Sequence, residues 1–122
     1  MPTAVEALDA FMRELEGDVR QVAPGEWGIT VSVSGWPLDV GVAVRDGLVR
    51  AQAFVAGAGS VDPHQLLFWN RQTALVRFAH TRGGEVYVMG ELPEAAATPA
   101  ELDRLLGLLV AAAEAARGHI LG

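Results

Sequence analysis

The sequence contains neither cysteine nor lysine. Without cysteine there are no disulfides, no thiol nucleophile and no sulfur-ligated metal. Without lysine there is no Schiff-base chemistry, no anchor for pyridoxal phosphate and no phosphate-binding lysine of the P-loop kind. All nine basic residues are arginine, and the net charge is −6. Nucleic-acid binders usually carry a basic stripe that neutralises phosphates; none is visible, so no nucleic acid is expected as a partner. No apolar run approaches the ~20 residues of a membrane span. Glu6 and Asp9 stand where an export signal carries positive charge. The expected location is the cytoplasm, with no membrane partner. Serine is scarce as well: there are three, none within G-x-S-x-G.

What is abundant is apolar. Hydrophobic residues make up 51% of 122 positions. That fits one folded domain over residues 1–122, burying roughly two-thirds of its unfolded surface. Three helix starts punctuate it: Thr3 with Glu6, Asp62 with Gln65, and Thr98 with Glu101. Each has the spacing of a capping box, in which the two side chains satisfy free N–H groups at the helix start. Pro63 and Pro99 follow their caps, where a missing N–H costs nothing.

The first helix is expected from about Pro2 to Val22, with Val5, Leu8, Met12, Leu15, Val19 and Val22 as its apolar stripe. Gly17 weakens its middle, so a bend or stop is expected there. Strict alternation predicts a first strand over Trp27–Ser34, with Trp27, Ile29, Val31 and Val33 inward. Gly35, Trp36 and Pro37 are read as the next turn. A second strand places Leu38, Val40, Val42 and Val44 inward, and Asp46-Gly47 is a two-residue hairpin signal. That loop pairs Val44 with Val49 and puts Val49, Ala51, Ala53 and Val55 on the same face, so turn chemistry and pattern agree. The small Ala51 and Ala53 would let a helix pack close.

A second helix is expected over Asp62–Asn70, carrying Leu66, Leu67, Phe68 and Trp69 in succession. Four adjacent large apolar residues span more than a third of a helix's circumference, more than one core can cover. Fourth and fifth strands are expected over Thr73–Arg82 and Glu85–Leu92. A two-residue Gly83-Gly84 loop would leave Val76, Phe78, Tyr87 and Met89 on one face. A three-residue loop with a bulge would instead gather Val76, Phe78, Val86 and Val88. Either register leaves apolar residues on both faces and implies a cover beyond the helices. A third helix is expected over Pro99–Arg117, with Gly118 just past its end. The fold class is α+β: helix, three-stranded antiparallel meander, helix, two-stranded hairpin, helix.

The chain offers little chemistry. Gly57-Ala58-Gly59-Ser60-Val61-Asp62 puts a carboxylate where a dinucleotide fingerprint needs its last glycine. His64, His80 and His119 lack metal-ligand spacing. Asp39, His80, Glu91 and Glu94 could serve acid–base chemistry only if the fold gathered them in a cleft. No catalytic residue, cofactor or metal is therefore expected. The candidate dimer or partner interface comprises Leu66, Phe68, Trp69, Phe78, Tyr87, Met89 and Trp36; for Trp36, closing one end of the core is an equal alternative.

The order of elements resembles the type III secretion chaperone fold. Glu26-Trp27, Leu66-Leu67-Phe68-Trp69-Asn70, Arg77-Phe78, Gly84-Glu85-Val86-Tyr87-Val88 and Glu91-Leu92-Pro93 also resemble the YbjN family, a group described as bacterial sensory-transduction regulators, over nearly the whole chain. The resemblance implies an antiparallel sheet with flanking helices and, in the chaperone relatives, homodimers. It transfers no catalytic residue. The expected function is a non-enzymatic homodimeric protein-binding module, chaperone-like or regulatory, with a protein or peptide client. The alternative is a small-molecule-sensing domain.

Overall fold

The computed structural model describes residues 2–121. Helix α1 spans Ala4–Glu14. Four strands follow as a meander: β1 (Asp18–Ala23), β2 (Glu26–Val33), β3 (Trp36–Arg45) and β4 (Leu48–Ala56). Helix α2 (Pro63–Asn70) leads into β5 (Val76–His80) and β6 (Val86–Pro93). A single 3-10 turn, Glu94–Ala96, precedes helix α3 (Pro99–Leu121). The strands form one antiparallel sheet in the order β1-β2-β3-β4-β6-β5. Helix α3 lies across β2, β4, β5 and β6, α1 packs on α3, and α2 packs on β5.

The meander has four strands, not three. The first helix stops at Glu14, and Asp18–Ala23, expected to be its second half, forms β1. Gly17 explains the break: its φ of +106° is closed to a helix and open mainly to glycine. Val19 and Val22 fit a helical stripe by their spacing of three, yet Val19 sits opposite Ile29 on the sheet and Val22 is 70% exposed.

Of the three helix starts, only Thr3 and Glu6 exchange both bonds among the described residues: Glu6 N–H donates to Thr3 Oγ1 (3.1 Å) and Thr3 N–H to Glu6 Oε1 (3.3 Å). Asp62 accepts from the His64 N–H at 2.8 Å, and Thr98 accepts from the Glu101 N–H at 3.2 Å. These are single caps, each worth about 1 kcal/mol. Helix α3 also runs through Gly118 to Leu121 instead of ending near Arg117.

The Asp46-Gly47 hairpin has the expected register, with Val44 opposite Val49, and both turn residues have positive φ. A second such turn precedes it. Ser34 and Gly35 (φ 56° and 85°) join β2 to β3, so Val33 pairs with Trp36. Trp36 thus opens a strand instead of lying in the turn.

Between β5 and β6 the three-residue alternative holds. Thr81 N–H donates to Glu85 O (3.0 Å), Gly84 N–H donates to Thr81 O (3.0 Å), and Gly84 takes φ +96°. Phe78 therefore faces Val88, and Tyr87 and Met89 point to the other side of the sheet.

The helix-covered face is the core: Val40, Val42, Val49, Ala51, Ala53, Val55, Val86 and Val88 are all buried against Leu8, Met12, Leu102, Leu105 and Leu109. Helix α3 packs tightly where the small Ala51 stands beside Gly90. A Cβ on Gly90 would meet Leu105 Cδ1 and Val76 Cγ1 at 2.9 Å and the Leu75 carbonyl oxygen at 2.8 Å. Small residues are what let this helix reach its sheet.

Candidate interaction surface

The seven candidate interface residues fall into five places. Leu66 and Phe78, at 4% and 6% exposure, are inside the core of the single chain and leave little surface for a partner. Trp69 is half-buried between them and the outside: its ring centroid lies 5.4 Å from Phe78 and 5.1 Å, edge-on, from His119. Phe68 is exposed (51%), and so is its neighbour Leu67 (66%). At about 100° per residue, Leu66 and Trp69 share one side of α2 and Leu67 and Phe68 turn away from it. Leu67, absent from the candidate set, is the most exposed of the four; its place in the run was the available signal.

Tyr87 and Met89 lie on the open face of the sheet, half-buried. Phe54 joins them from β4, its ring edge-on to Tyr87 at 5.7 Å. Toward β1 this open face becomes polar. Arg20 donates to Thr30 Oγ1 (3.0 Å), Thr30 donates to Asp39 Oδ1 (2.6 Å), and Arg20 also lies within ion-pair reach of Asp18 and Asp39. Arg45 pairs with Glu26. Arg77 on β5 holds Glu91 on β6 through two bonds of 2.7 and 2.9 Å. That double bond holds the Glu91 carboxyl below the usual carboxylate range and raises Arg77.

Trp36 has its partner within the chain. The Arg117 guanidinium sits 3.3 Å above the Trp36 ring centre. Arg117 is 1% exposed. It donates to five backbone carbonyls: Val55 (3.0 Å), Val33 (3.1 Å), Trp36 (3.2 Å), Pro37 (3.1 Å) and Phe54 (3.3 Å). Burial pushes its pKa down, and Asp39 pushes it up by a smaller amount. The carbonyl dipoles take the place of water around the cation. Trp36 is half-buried, with one side of its ring covered by Arg117.

The possible acid–base residues do not converge. Asp39 on β3 is tied to Thr30 on β2, Glu91 is tied to Arg77 several positions away along the sheet, and His80 Nδ1 contacts the Thr81 carbonyl (2.7 Å). Among the described residues no cluster of three His, Asp or Glu side chains could hold a metal. No helix among them is long and apolar enough to cross a membrane.

One antiparallel sheet carrying its helices on one face is the architecture of type III secretion chaperones. A chain of the HopA1-SchA chaperone-effector complex superposes with a TM-score of 0.71 at 13% identity, covering 92% of this chain and 91% of that one. A chain from the complex of the Yersinia pestis type III secretion chaperone SycH with a stable fragment of YscM2 gives 0.65 at 17%, covering 91% and 97%. A chain of the heterodimeric ExoU-SpcU complex from the type III secretion system of Pseudomonas aeruginosa gives 0.64 at 12%, covering 91% and 95%. No curated protein matches by sequence. Residues 4–121 match the YbjN family, described as "putative bacterial sensory transduction regulator"; the chain belongs to that family.

Proposed function

We propose that this chain is a non-enzymatic protein-binding module that acts as a homodimer, in a chaperone-like or regulatory role, without a cofactor. The observation that carries the proposal is the exposed pair on α2, Leu67 at 66% and Phe68 at 51%, beside the half-buried Trp69. Large apolar side chains held side by side on a short rigid helix are costly to leave in water and suit an interface. The aromatic part of the open sheet face, Phe54 and Tyr87 with Met89, is a separate apolar surface for a second copy. Chaperone–effector complexes among the solved structures with this fold support a protein client.

A client segment would add as a strand along β1. Among the described residues that strand pairs only with β2, and its other edge carries no strand. Size-exclusion chromatography with light scattering over a tenfold concentration range tests the dimer. A stable dimer is expected, falling to a monomer of unchanged circular dichroism in the double variant Leu67→Glu, Phe68→Glu. Both positions are exposed, so the variant tests association rather than folding. A wild-type monomer at every concentration sinks the dimer.

A further inference from the structure

Two adjoining cavities run along the seam where α1 meets α3, on the helical side of the sheet. The first, of about 450 Å³, lies between the outer side of α1 and the turn leading into α3. Its walls are mostly small and apolar, with Ala7, Ala10 and Ala97 among them. The second, of about 490 Å³, lies between the end of α1 and the middle of α3, floored by Ile29, Val31 and Val40 of the sheet. Phe11 lines both, so the two cavities are neighbours on either side of its ring.

The charge on this groove is of one sign. Glu6, Glu14 and Glu94 line the first chamber, and Glu16, Asp103 and Glu114 line the second. No arginine or histidine lines either. The nearest cations in sequence do not relieve the imbalance: Arg104 turns to Glu101 at 3.7 Å, and Arg13 lies outside both linings. Glu6 spends one oxygen on the Thr3 cap. By contrast, the ion pairs of the open sheet face match carboxylates with arginines. Carboxylates ranged round an apolar floor repel an acidic or purely apolar occupant and favour one that brings cations to the rim.

We propose that the seam binds an extended segment of a partner protein that carries two large apolar side chains flanked by lysine or arginine. This rests on the protein-binding reading above and adds the chemistry of the client. One apolar side chain enters each chamber, with the basic residues just outside. The apolar side chains fill the chambers on either side of Phe11. The cations meet Glu6, Glu14 and Glu94 at one end and Glu16, Asp103 and Glu114 at the other.

The test is selection of a displayed random-peptide library against the full chain, followed by fluorescence anisotropy of the enriched peptides. The expected result is peptides with basic-flanked apolar pairs. Their affinity should fall about tenfold in the double variant Glu16→Gln, Glu114→Gln, and that difference should vanish at high salt, where exposed charges are screened. Both carboxylates are exposed, so the variant should fold. As a second check, Ala10→Arg, which puts a cation into the first chamber from an exposed position, should abolish binding of the same peptides. Enriched peptides without basic residues, or with affinity indifferent to these variants, overturn the groove's specificity while leaving a protein-binding module. Enrichment of no peptide at all overturns both.

Discussion

The sheet has two margins, and they are finished differently. At one, β1 pairs with β2 and, among the described residues, no strand lies beyond it. Its side chains are held by surface pairs such as Arg20 with Asp18, which contribute little because water and salt screen them. At the other margin, α2 folds back on β5 and Asn70 behaves like a piece of a further strand. Its Oδ1 accepts from the Phe78 N–H at 2.7 Å, and its Nδ2 donates to the Phe78 carbonyl at 3.0 Å. One side chain thus satisfies both backbone groups of an edge residue. Unpaired strand edges template association; here one edge is stopped and the other left open, so strand addition has a preferred side.

Several substitutions would break or sharpen that contrast. The largest effect is expected from Gly90→Ala beside the closed margin. A methyl group there meets α3, β5 and the Leu75 carbonyl below 3.0 Å, and such overpacking should cost about 2–3 kcal/mol in chemical denaturation. Gly41→Ala, on β3 with nothing within 4 Å of the new carbon, should cost far less. Equal losses would mean that the sheet is packed no more tightly at Gly90 under α3 than on its open face at Gly41.

Next comes Asn70→Ala. Stripping both partners from the Phe78 backbone should cost about 1–2 kcal/mol. It should also speed hydrogen exchange at Phe78 toward the rates of free-edge amides in β1. Unchanged exchange at Phe78 would show that the asparagine does not seal the edge.

Glu91→Gln should cost under ~1 kcal/mol at neutral pH, because the pair with Arg77 is partly exposed. Its signature is in the pH profile. The folded carboxyl titrates below its usual value of 4.5. Its contribution is therefore complete above that value and is lost as pH falls through the lower folded one. The variant's acid-unfolding curve should be flatter in that range, and a curve parallel to wild type would deny the pair any role.

Val22→Asp on the open margin should change stability by no more than ~0.5 kcal/mol, since Val22 is 70% exposed at a bulge. It should still weaken strand addition along β1, read as a loss of the hydrogen-exchange protection that a bound client gives the β1 amides.

Local signals were legible where a few adjacent residues decide the structure. Asp46-Gly47 set its hairpin because turn geometry and the alternation of Val44 and Val49 agree. The run Leu66–Trp69 announced an unburied surface because four successive positions cannot share one side of a helix. The extent of α1 was misread because Val19 and Val22 satisfy a period of three as readily as a strand, and the conformation of Gly17 is visible only in the fold. Asn70 gave no hint of its edge role, since its partner is the backbone of Phe78 and not a side chain. The seam between α1 and α3 was illegible for a related reason: its carboxylates come from three separated segments and are a set only in space.

Arg117 carries a consequence in time as well as in space. Its five carbonyl partners lie at the ends of β2 and β4 and the start of β3, all made early in synthesis; Val33 lies 84 positions upstream. A ribosome delivers those strands well before the residue that satisfies them. Until Arg117 arrives, the carbonyl groups at the ends of β2 and β4 must stay with water, and the finished sheet cannot close at that end. The arginine therefore makes completion of the fold wait for the last helix, and a chain cut short before residue 117 would lack that closure however many strands it had already formed.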